Sequence, residues 1–337
     1  ATVLQGIACG GTGTALIGNR SAIALKGLTV TGFQDGITTD NIGSTVTDVL
    51  VEDVSASANC RHGLWFQAGI TSDLTLRRVN ASNNGGIGSG GRGFWIINGT
   101  KSDITIEDGT FNNNRLVGID ISDGNVTGLA VTGNTVSGNG DSGIGVLGAQ
   151  GPGANRVANN TVTDNGRFGI EIKVPTGNGM ASGPGSMAVT DNVVTRTVAA
   201  TDARDHAGIA VFRRSGSASN ADQPSGVVVT GNTVSGYVRK ASGSTGDGFG
   251  IVVEGAGHRV TKNIVSGNDV GIQIQAGNTA DTQGTPYFDR GNAAPSSALI
   301  NRNSISGNTL LDLRNVGADP TDASCNWYGA AGGPLPA

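Results

Sequence analysis

The chain reads Leu129-Ala-Val-Thr-Gly-Asn-Thr-Val-Ser-Gly-Asn139 near its middle, and this stretch recurs without gaps further along. The other copies are Asn155-Arg-Val-Ala-Asn-Asn-Thr-Val-Thr-Asp-Asn165, His258-Arg-Val-Thr-Lys-Asn-Ile-Val-Ser-Gly-Asn268 and Ala298-Leu-Ile-Asn-Arg-Asn-Ser-Ile-Ser-Gly-Asn308. Segments of the type Gly-Ile-x-Ile/Val, such as Gly143-Ile144, follow after variable stretches. Such repeats indicate a solenoid, in which each coil packs only on its neighbours.

The asparagine that ends each copy marks one turn of every predicted coil. The marker positions are Asn59, Asn84, Asn114, Asn139, Asn165, Thr197, Tyr237, Asn268 and Asn308. Their intervals run from 25 to 40 residues, which predicts a coil of three short strands with inserted loops. Stacked asparagines can form a ladder, because each side-chain amide donates to one neighbour and accepts from the other.

A second strand of each coil shows apolar residues alternating with polar ones, as a strand with one buried face requires. The apolar pairs are Leu28/Val30, Val49/Val51, Leu74/Leu76, Ile104/Ile106, Leu129/Val131 and Val227/Val229. The outward residue after each pair gives the column Thr31, Glu52, Arg77, Glu107, Thr132, Ala158, Thr190, Thr230 and Thr261. Because rungs lie about 4.8 Å apart, this alignment predicts a Glu52–Arg77–Glu107 charge ladder.

Composition excludes several classes of protein. The 337 residues carry a net charge of −4, so binding of nucleic acid by a basic surface is not expected. No apolar run approaches the roughly 20 residues that cross a bilayer, so we expect no membrane insertion. The chain begins without methionine or a leader, which we interpret as a mature or excised segment of a secreted or cell-surface bacterial protein. Cys9 and Cys60 could form a bridge, or all three cysteines, with Cys325, could be isolated thiols.

The Gly-Asn-x-Val-Ser-Gly-Asn repeats resemble those of right-handed parallel β-helix proteins of the pectate-lyase-like superfamily, of the bacterial secreted type. The ending Cys325-Asn326-Trp327-Tyr328-Gly329, with Gly333-Pro334 after it, is similar to a capping motif of such proteins. The resemblance implies an all-β, right-handed, single-stranded parallel β-helix of about ten coils, with an Asn ladder and inserted loops. It implies one domain, 1–337, with cap regions at 1–20 and 309–337. The superfamily includes lyases, hydrolases, epimerases, esterases, adhesins and passive scaffolds, so the fold does not set the activity.

The Gly-Ile-x-Ile/Val strand presents the most functional-looking outward columns. One column is Trp65, Trp95, Asp120, Gly145, Glu171, Ala210, Val252 and Gln273, and the next is Gln67, Ile97, Ser122, Leu147, Lys173, Phe212, Glu254 and Gln275. The tryptophans suggest a platform for sugar rings. Asp120 and Glu171 are two rungs apart, about 9–10 Å by backbone spacing, which suits two carboxyl groups that cleave a glycosidic bond with inversion.

Plainer interpretations stay open for each of these residues. Glu171 could simply pair with Lys173 or Arg167, and Asp120 with Arg115. A calcium site that uses both carboxylates, with Asp141 close by, is also conceivable.

Long insertions between Glu171 and Glu254 place a polar cluster beside the same strand. It contains Asp202-Ala-Arg204-Asp205-His206 and Arg213-Arg214. His206 could act as a general acid or base, and the arginines could neutralise the carboxylate of an acidic sugar. The alternative is that Asp205 and Arg213 tie neighbouring loops together.

These patterns predict an extracellular enzyme that acts on a polysaccharide, in the first place a glycoside hydrolase. The predicted catalytic residues are Asp120, Glu171, Lys173 and His206, and the predicted substrate-binding residues are Trp65, Trp95, Arg167, Asp205, Arg213 and Glu254. No cofactor is required, although Ca²⁺ is possible. One alternative is a lyase, in which Lys173 or His206 removes a proton from a uronate unit. Another is a non-catalytic module for carbohydrate binding or adhesion, and the oligomeric state is left open.

Overall fold

A computed structural model describes residues 2–330 apart from 8, 17, 40–42, 87–89, 123–124, 149–154, 175–186, 214–223, 240–245, 276–297 and 318. These residues form thirty β-strands, β1–β30 in chain order, which stack in parallel. No helix among them is long and apolar enough to span a membrane.

Sheet I is the longest and carries one strand from each of eleven coils. Its strands are β2 (Thr12–Leu16), β5 (Asp35–Thr39), β8 (His62–Phe66), β10 (Phe94–Ile97), β12 (Ile119–Ser122), β15 (Ile144–Leu147), β18 (Phe168–Val174), β21 (His206–Arg213), β24 (Gly248–Glu254), β27 (Val270–Gln275) and β30 (Leu311–Asn315).

Sheet II has ten strands and forms a second wall of the coil. They are β3 (Arg20–Lys26), β6 (Thr45–Glu52), β9 (Ile70–Arg77), β11 (Thr100–Glu107), β13 (Asn125–Thr132), β16 (Arg156–Ala158), β19 (Ala188–Thr190), β22 (Val228–Thr230), β25 (His258–Thr261) and β28 (Ala298–Asn301).

Sheet III forms the third wall, in two parts. The first comprises β1 (Thr2–Gln5), β4 (Leu28–Thr31) and β7 (Ser55–Ala56), and the second comprises β14 (Thr135–Ser137), β17 (Thr161–Thr163), β20 (Val193–Thr195), β23 (Thr233–Ser235), β26 (Ile264–Ser266) and β29 (Ser304–Ser306). Isolated bridges through Asn80 and Thr110 join the two parts. The predicted parallel β-helix is therefore confirmed.

Aligned apolar columns fill the interior of the coil. In sheet I, Ile119 and Ile121 pair with Ile144 and Val146 on the next rung, and all four side chains are completely buried. Full burial of one such side chain contributes roughly 1.5–3 kcal/mol. The core therefore grows with each added coil, which explains how a long chain of few aromatics stays folded.

The predicted Asn ladder is present, with one interruption. Side-chain amides join Asn59, Asn84, Asn114, Asn139 and Asn165 in sequence, and Asn268 joins Asn308. The assignment of Thr197 to the column is wrong, because Thr197 is exposed, whereas Tyr237 keeps its place and donates its backbone N–H to Asn268 Oδ1 at 3.0 Å. The buried Tyr237 hydroxyl instead lies beside Gly169, where other coils place an asparagine amide.

A second Asn ladder was not predicted. It joins Asn134, Asn160, Asn192, Asn232, Asn263, Asn303 and Asn326 through amide–amide bonds of 2.9–3.0 Å. Its residues belong to the repeat itself, at the first asparagine of each Asn-x-Val-Ser-Gly-Asn. The last rung, Asn326, lies in the terminal motif that sequence analysis interpreted as a cap.

The charge ladder on sheet II is confirmed. Arg77 contacts Glu107 and Glu52 across adjacent rungs. The first member of that column is corrected, because Lys26 rather than Thr31 pairs with Glu52. Thr31 lies in sheet III, since the chain turns a corner between β3 and β4.

The two ends of the chain join the stacked sheets. Residues 1–20, expected to be a cap region, contribute β1 and β2, which pair with β4 and β5. Residues 309–330 add β30 to sheet I. Gly333-Pro334 of the expected C-terminal motif lies outside the described residues. Cys9 and Cys60 form a disulfide with a Cα–Cα distance of 5.6 Å, which ties the first coil to the third.

Removal of this disulfide should destabilise the N-terminal coils. The bridge spans 51 residues, and the chain-entropy account gives about 4 kcal/mol for a loop of that length. We expect the Cys9→Ser/Cys60→Ser double variant to melt at a lower temperature and to be cut first near its N-terminus by limited proteolysis. Identical melting and an unchanged cleavage pattern would contradict this expectation.

Candidate functional site

A pocket of about 230 Å³ opens on the outer face of sheet I and spans four consecutive coils. Its lining residues are Arg92, Trp95, Ile97, Val117, Asp120, Ser122, Asp141, Gly145, Leu147, Glu171 and Lys173. Four of them, Trp95, Asp120, Glu171 and Lys173, are predicted site residues. The stacking of coils brings together residues that are up to 81 positions apart in the sequence.

Strand register sets the geometry of the pocket. Trp95 pairs with Asp120, Asp120 with Gly145, and Gly145 with Glu171. A Cβ built on Gly145 would lie 3.7 Å from Glu171 Oε2 and 3.8 Å from Asp120 Oδ1. These two oxygens are therefore no further apart than the sum of those distances, 7.5 Å, and glycine leaves the space between them open.

Asp120 is held by an ion pair and a hydroxyl. Arg92 Nε donates to Asp120 Oδ2, and Ser122 Oγ donates to Oδ1 at 2.7 Å. Ser122 Oγ in turn accepts a hydrogen bond from Trp95 Nε1 at 2.9 Å. The predicted alternative, a pair between Asp120 and Arg115, is wrong, because Arg115 Nη1 donates to the Gly90 carbonyl oxygen at 3.0 Å.

Glu171 is held in a similar way on the other side of Gly145. Lys173 Nζ contacts Glu171 Oε1, as one predicted alternative proposed. Ser142 Oγ donates to Oε2 at 2.8 Å. Both carboxylates are buried, with 6–7% of their surface exposed. Each carboxylate is paired with one cation, which holds it in place.

Asp141 is the third carboxyl group of the pocket. It precedes β15, on the coil between those of Asp120 and Glu171. Burial, and secondarily the charge of Glu171, raise the pKa of Asp141. Among the described residues, its Oδ1 is buried without a hydrogen-bond partner. A raised pKa favours the protonated form of a carboxyl group, which is the form that a general acid needs.

Asp141 was expected only as a possible neighbour in a calcium site, Ser122 was placed in an outward column without a role, and Arg92 and Ser142 were not predicted. Arg92 and Ser142 immediately precede Gly93 and Gly143, which occupy the corner where sheet I begins. The outward-facing residues that precede the corner glycines were not included in the predicted binding surface. The alignment of the glycines themselves was the signal that could have revealed them.

The two tryptophans do not form an open sugar platform. The Trp65 and Trp95 rings stack on each other, with centroids 5.6 Å apart and planes 8° from parallel. Guanidinium groups also cover them, with Arg61 4.6 Å from the Trp65 centroid and Arg92 4.1 Å from that of Trp95. Rung spacing brings the rings into this stack, and both tryptophans are partly buried.

His206 and Asp205 do not line the pocket, and their predicted exposure in a cleft wall is wrong. Both are completely buried. Asp205 Oδ1 accepts the backbone N–H of Asp247 at 2.9 Å, which ties adjacent coils, as the plainer interpretation proposed. His206 Nε2 lies 3.3 Å from Asp202 Oδ1.

The remaining predicted residues lie outside the pocket. Arg167 is buried, with its guanidinium 4.8 Å from the Phe168 ring centroid. Glu254 is completely buried at the end of β24. The side chain of Arg213, all of Arg214 and most of the adjoining insertions lie outside the described residues. No group of three His, Cys, Asp or Glu side chains suited to a metal occurs within the described ranges.

The three histidines should make the protein acid-sensitive. Burial lowers the pKa of His62 to about 3 and the pKa values of His206 and His258 to about 4, from an ordinary 6.5. A lowered folded-state pKa contributes stability above pH 6.5 that is lost as the pH falls through the folded values. We expect the melting temperature to drop steadily from pH 6.5 to about 4.

Titration of the histidine rings by NMR would check the cause directly. Neutral rings at pH 5 in the folded protein agree with it. Rings that gain their protons near pH 6.5 while the protein stays folded would contradict it.

Comparisons with known proteins agree with this architecture. Residues 89–285, more than half of the chain, match the model of the right-handed β-helix region. The sequence matches no curated protein. The chain is similar to the crystal structure of the Dettilon tailspike protein (gp208), with a TM-score of 0.32 and 12% identity over 94% of this chain. The similarity spans 61% of the tailspike chain. On the family match and the stacked parallel sheets, this chain belongs to the right-handed β-helix family.

Proposed function

We propose that this protein hydrolyses glycosidic bonds of a polysaccharide in the sheet I pocket. The observation that carries the proposal is the trio of carboxyl groups on consecutive coils, in which burial and the charge of Glu171 raise the pKa of Asp141. Glycoside hydrolysis needs one carboxyl group that keeps its proton and one that is ionised. The resemblance of the repeats to a superfamily rich in polysaccharide-active enzymes supports the same substrate class.

The roles follow from the contacts of each carboxyl group. Asp141 donates its proton to the glycosidic oxygen as the bond from that oxygen to the anomeric carbon breaks. Asp120, paired with Arg92, takes a proton from the water whose oxygen bonds to the anomeric carbon. Glu171 acts through its charge, which keeps the proton on Asp141.

Glu171 Oε2 and Asp120 Oδ1 are at most 7.5 Å apart, and the open space over Gly145 between them can hold a water molecule.

A lyase receives less support from the same contacts. Its proton-abstracting base would be Lys173 or His206, yet Lys173 is paired with Glu171 and His206 is buried away from the pocket. A non-catalytic carbohydrate-binding module would not need a carboxyl group with a raised pKa at the base of the pocket.

A panel of polysaccharides tests the proposal. We expect new reducing ends without the ultraviolet absorbance of unsaturated uronates. Absorbance would favour the lyase, and binding with neither signal would favour the module. We also propose that no metal is needed, so EDTA should leave the rate unchanged, whereas loss of activity restored by Ca²⁺ would contradict this.

We also propose that the protein is secreted or exposed at the cell surface. Structural disulfides persist in oxidising surroundings, so the Cys9–Cys60 bridge supports a secreted or cell-surface protein. Cell fractionation would test it, and recovery in the cytoplasm with free thiols at both positions would contradict it.

A further inference from the structure

The pocket is closed at one end along the axis of the coil. On the rung after Glu171 and Lys173, the outward residues are Ala210 and Phe212, and both are completely buried. They belong to a second apolar cluster on the outer face of sheet I, together with Phe168, Ala207, Phe249, Val252 and Val270. A surface with no exposure cannot receive a ligand, so a glycan chain cannot continue past Lys173 in that direction.

The opposite end of the pocket is accessible. Trp95 and Trp65 on the two preceding rungs are half-exposed, as are Arg61 and Gln67 beside them. A chain that enters the pocket must therefore leave over the tryptophan edges. The volume of about 230 Å³ is below the range of pockets for drug-sized ligands, roughly 300–1,000 Å³. It suits one sugar unit rather than a chain segment.

The charges of the pocket also restrict the ligand. Its two lining cations, Arg92 and Lys173, are each paired with a carboxylate of the same pocket. An anionic sugar would find both cations already paired, so the cost of removing its charge from water would be poorly offset.

We propose that the pocket binds one uncharged terminal sugar unit of a neutral glycan, so that cleavage proceeds from a chain end. This inference rests on the proposed function for cleavage, but the binding preference stands by itself. Lys173 marks the closed end, since its Nζ lies 5.2 Å from the Phe212 ring centroid. The rest of the glycan chain extends from the pocket on the side of Trp65.

Binding and product profiles test the two halves separately. Neutral oligosaccharides with free ends are compared by calorimetry with cyclic oligosaccharides of the same sugars and with oligosaccharides whose terminal unit is oxidised to a uronate. We expect the cyclic and oxidised ligands to bind about tenfold or more weakly. If the cyclic ligand bound as tightly as the neutral ligand with free ends, the pocket would not be closed at one end. If the ligand with a terminal uronate bound as tightly as the neutral one, the charge argument would be wrong.

Cleavage distinguishes this inference from the proposed function. Release of one small product with little early loss of polymer viscosity supports both. Rapid loss of viscosity with a ladder of products supports hydrolysis but overturns attack at the end. End-selective binding without any cleavage supports this inference and contradicts the proposed hydrolase.

One variant pair tests the charge argument inside the pocket. Glu171→Gln should narrow the preference for the neutral over the oxidised ligand, because it removes the carboxylate that Lys173 contacts. Asp73→Asn, on the exposed surface of sheet II, should leave the preference unchanged. An unaltered preference in Glu171→Gln would contradict the role given to the paired cations.

Discussion

Replacement of Asp141 with asparagine should lower kcat by about a hundredfold to ten-thousandfold, the usual contribution of a general acid. The substitution keeps the size of the side chain but cannot donate the catalytic proton with the same ease. Stability should not fall with activity. Burial and Glu171 raise the pKa of Asp141, so its ionised form disfavours the folded state above that pKa, and the amide should melt at the same or a higher temperature.

The matched control is Asp73→Asn, which changes one exposed carboxylate at a turn of sheet II and should retain full activity. Rates are compared on the polysaccharide that the panel identifies, with melting followed by circular dichroism. Full activity in Asp141→Asn, or loss of activity only in step with loss of folded protein, would eliminate Asp141 as the acid.

Replacement of Asn160 with alanine should cost about 3–5 kcal/mol, because several buried groups lose their partners together. Asn160 Nδ2 donates to the Val131 and Ala158 carbonyl oxygens and to Asn192 Oδ1. Its Oδ1 accepts from both the backbone N–H and the side chain of Asn134. No water can reach these positions in the intact coil, since Asn160 is 1% exposed.

The neighbouring change Thr161→Ala serves as the control, since Thr161 is exposed on the same coil and should alter stability by less than about 0.5 kcal/mol. Denaturant unfolding of both variants measures the difference. Similar midpoints for the two variants would show that the ladder contributes little to the stability of the stack.

The repeat predicted much of this molecule because a solenoid converts spacing in sequence into position in space. Once coils are aligned, Trp95, Asp120, Gly145 and Glu171 must share one column, and the strand register has them paired as predicted. The Glu52–Arg77–Glu107 ladder follows by the same logic. The alignment failed at Thr31, where the chain turns a corner, and at Thr197, which does not join the Asn ladder.

The repeat pattern did not predict features that depend on the length and burial of side chains. Alternation shows which way Ala210 and Phe212 point but not that both side chains are completely buried. Spacing placed the tryptophans on adjacent rungs, yet rung distance alone also makes them stack rather than lie open. Asp141 lies in the turn before its strand, where no alternating pattern gives the direction of a side chain.

The most direct test of the account is a crystal structure of the Asp141→Asn variant with a neutral oligosaccharide from the panel. One terminal sugar should sit over Gly145, with its glycosidic oxygen within hydrogen-bonding reach of the asparagine that replaces Asp141 and the next unit over Trp95. Residues that are distant in sequence but lie on adjacent coils would then contact the same sugar ring. A sugar bound on sheet II or III, with the space between Asp120 and Glu171 empty, would contradict it.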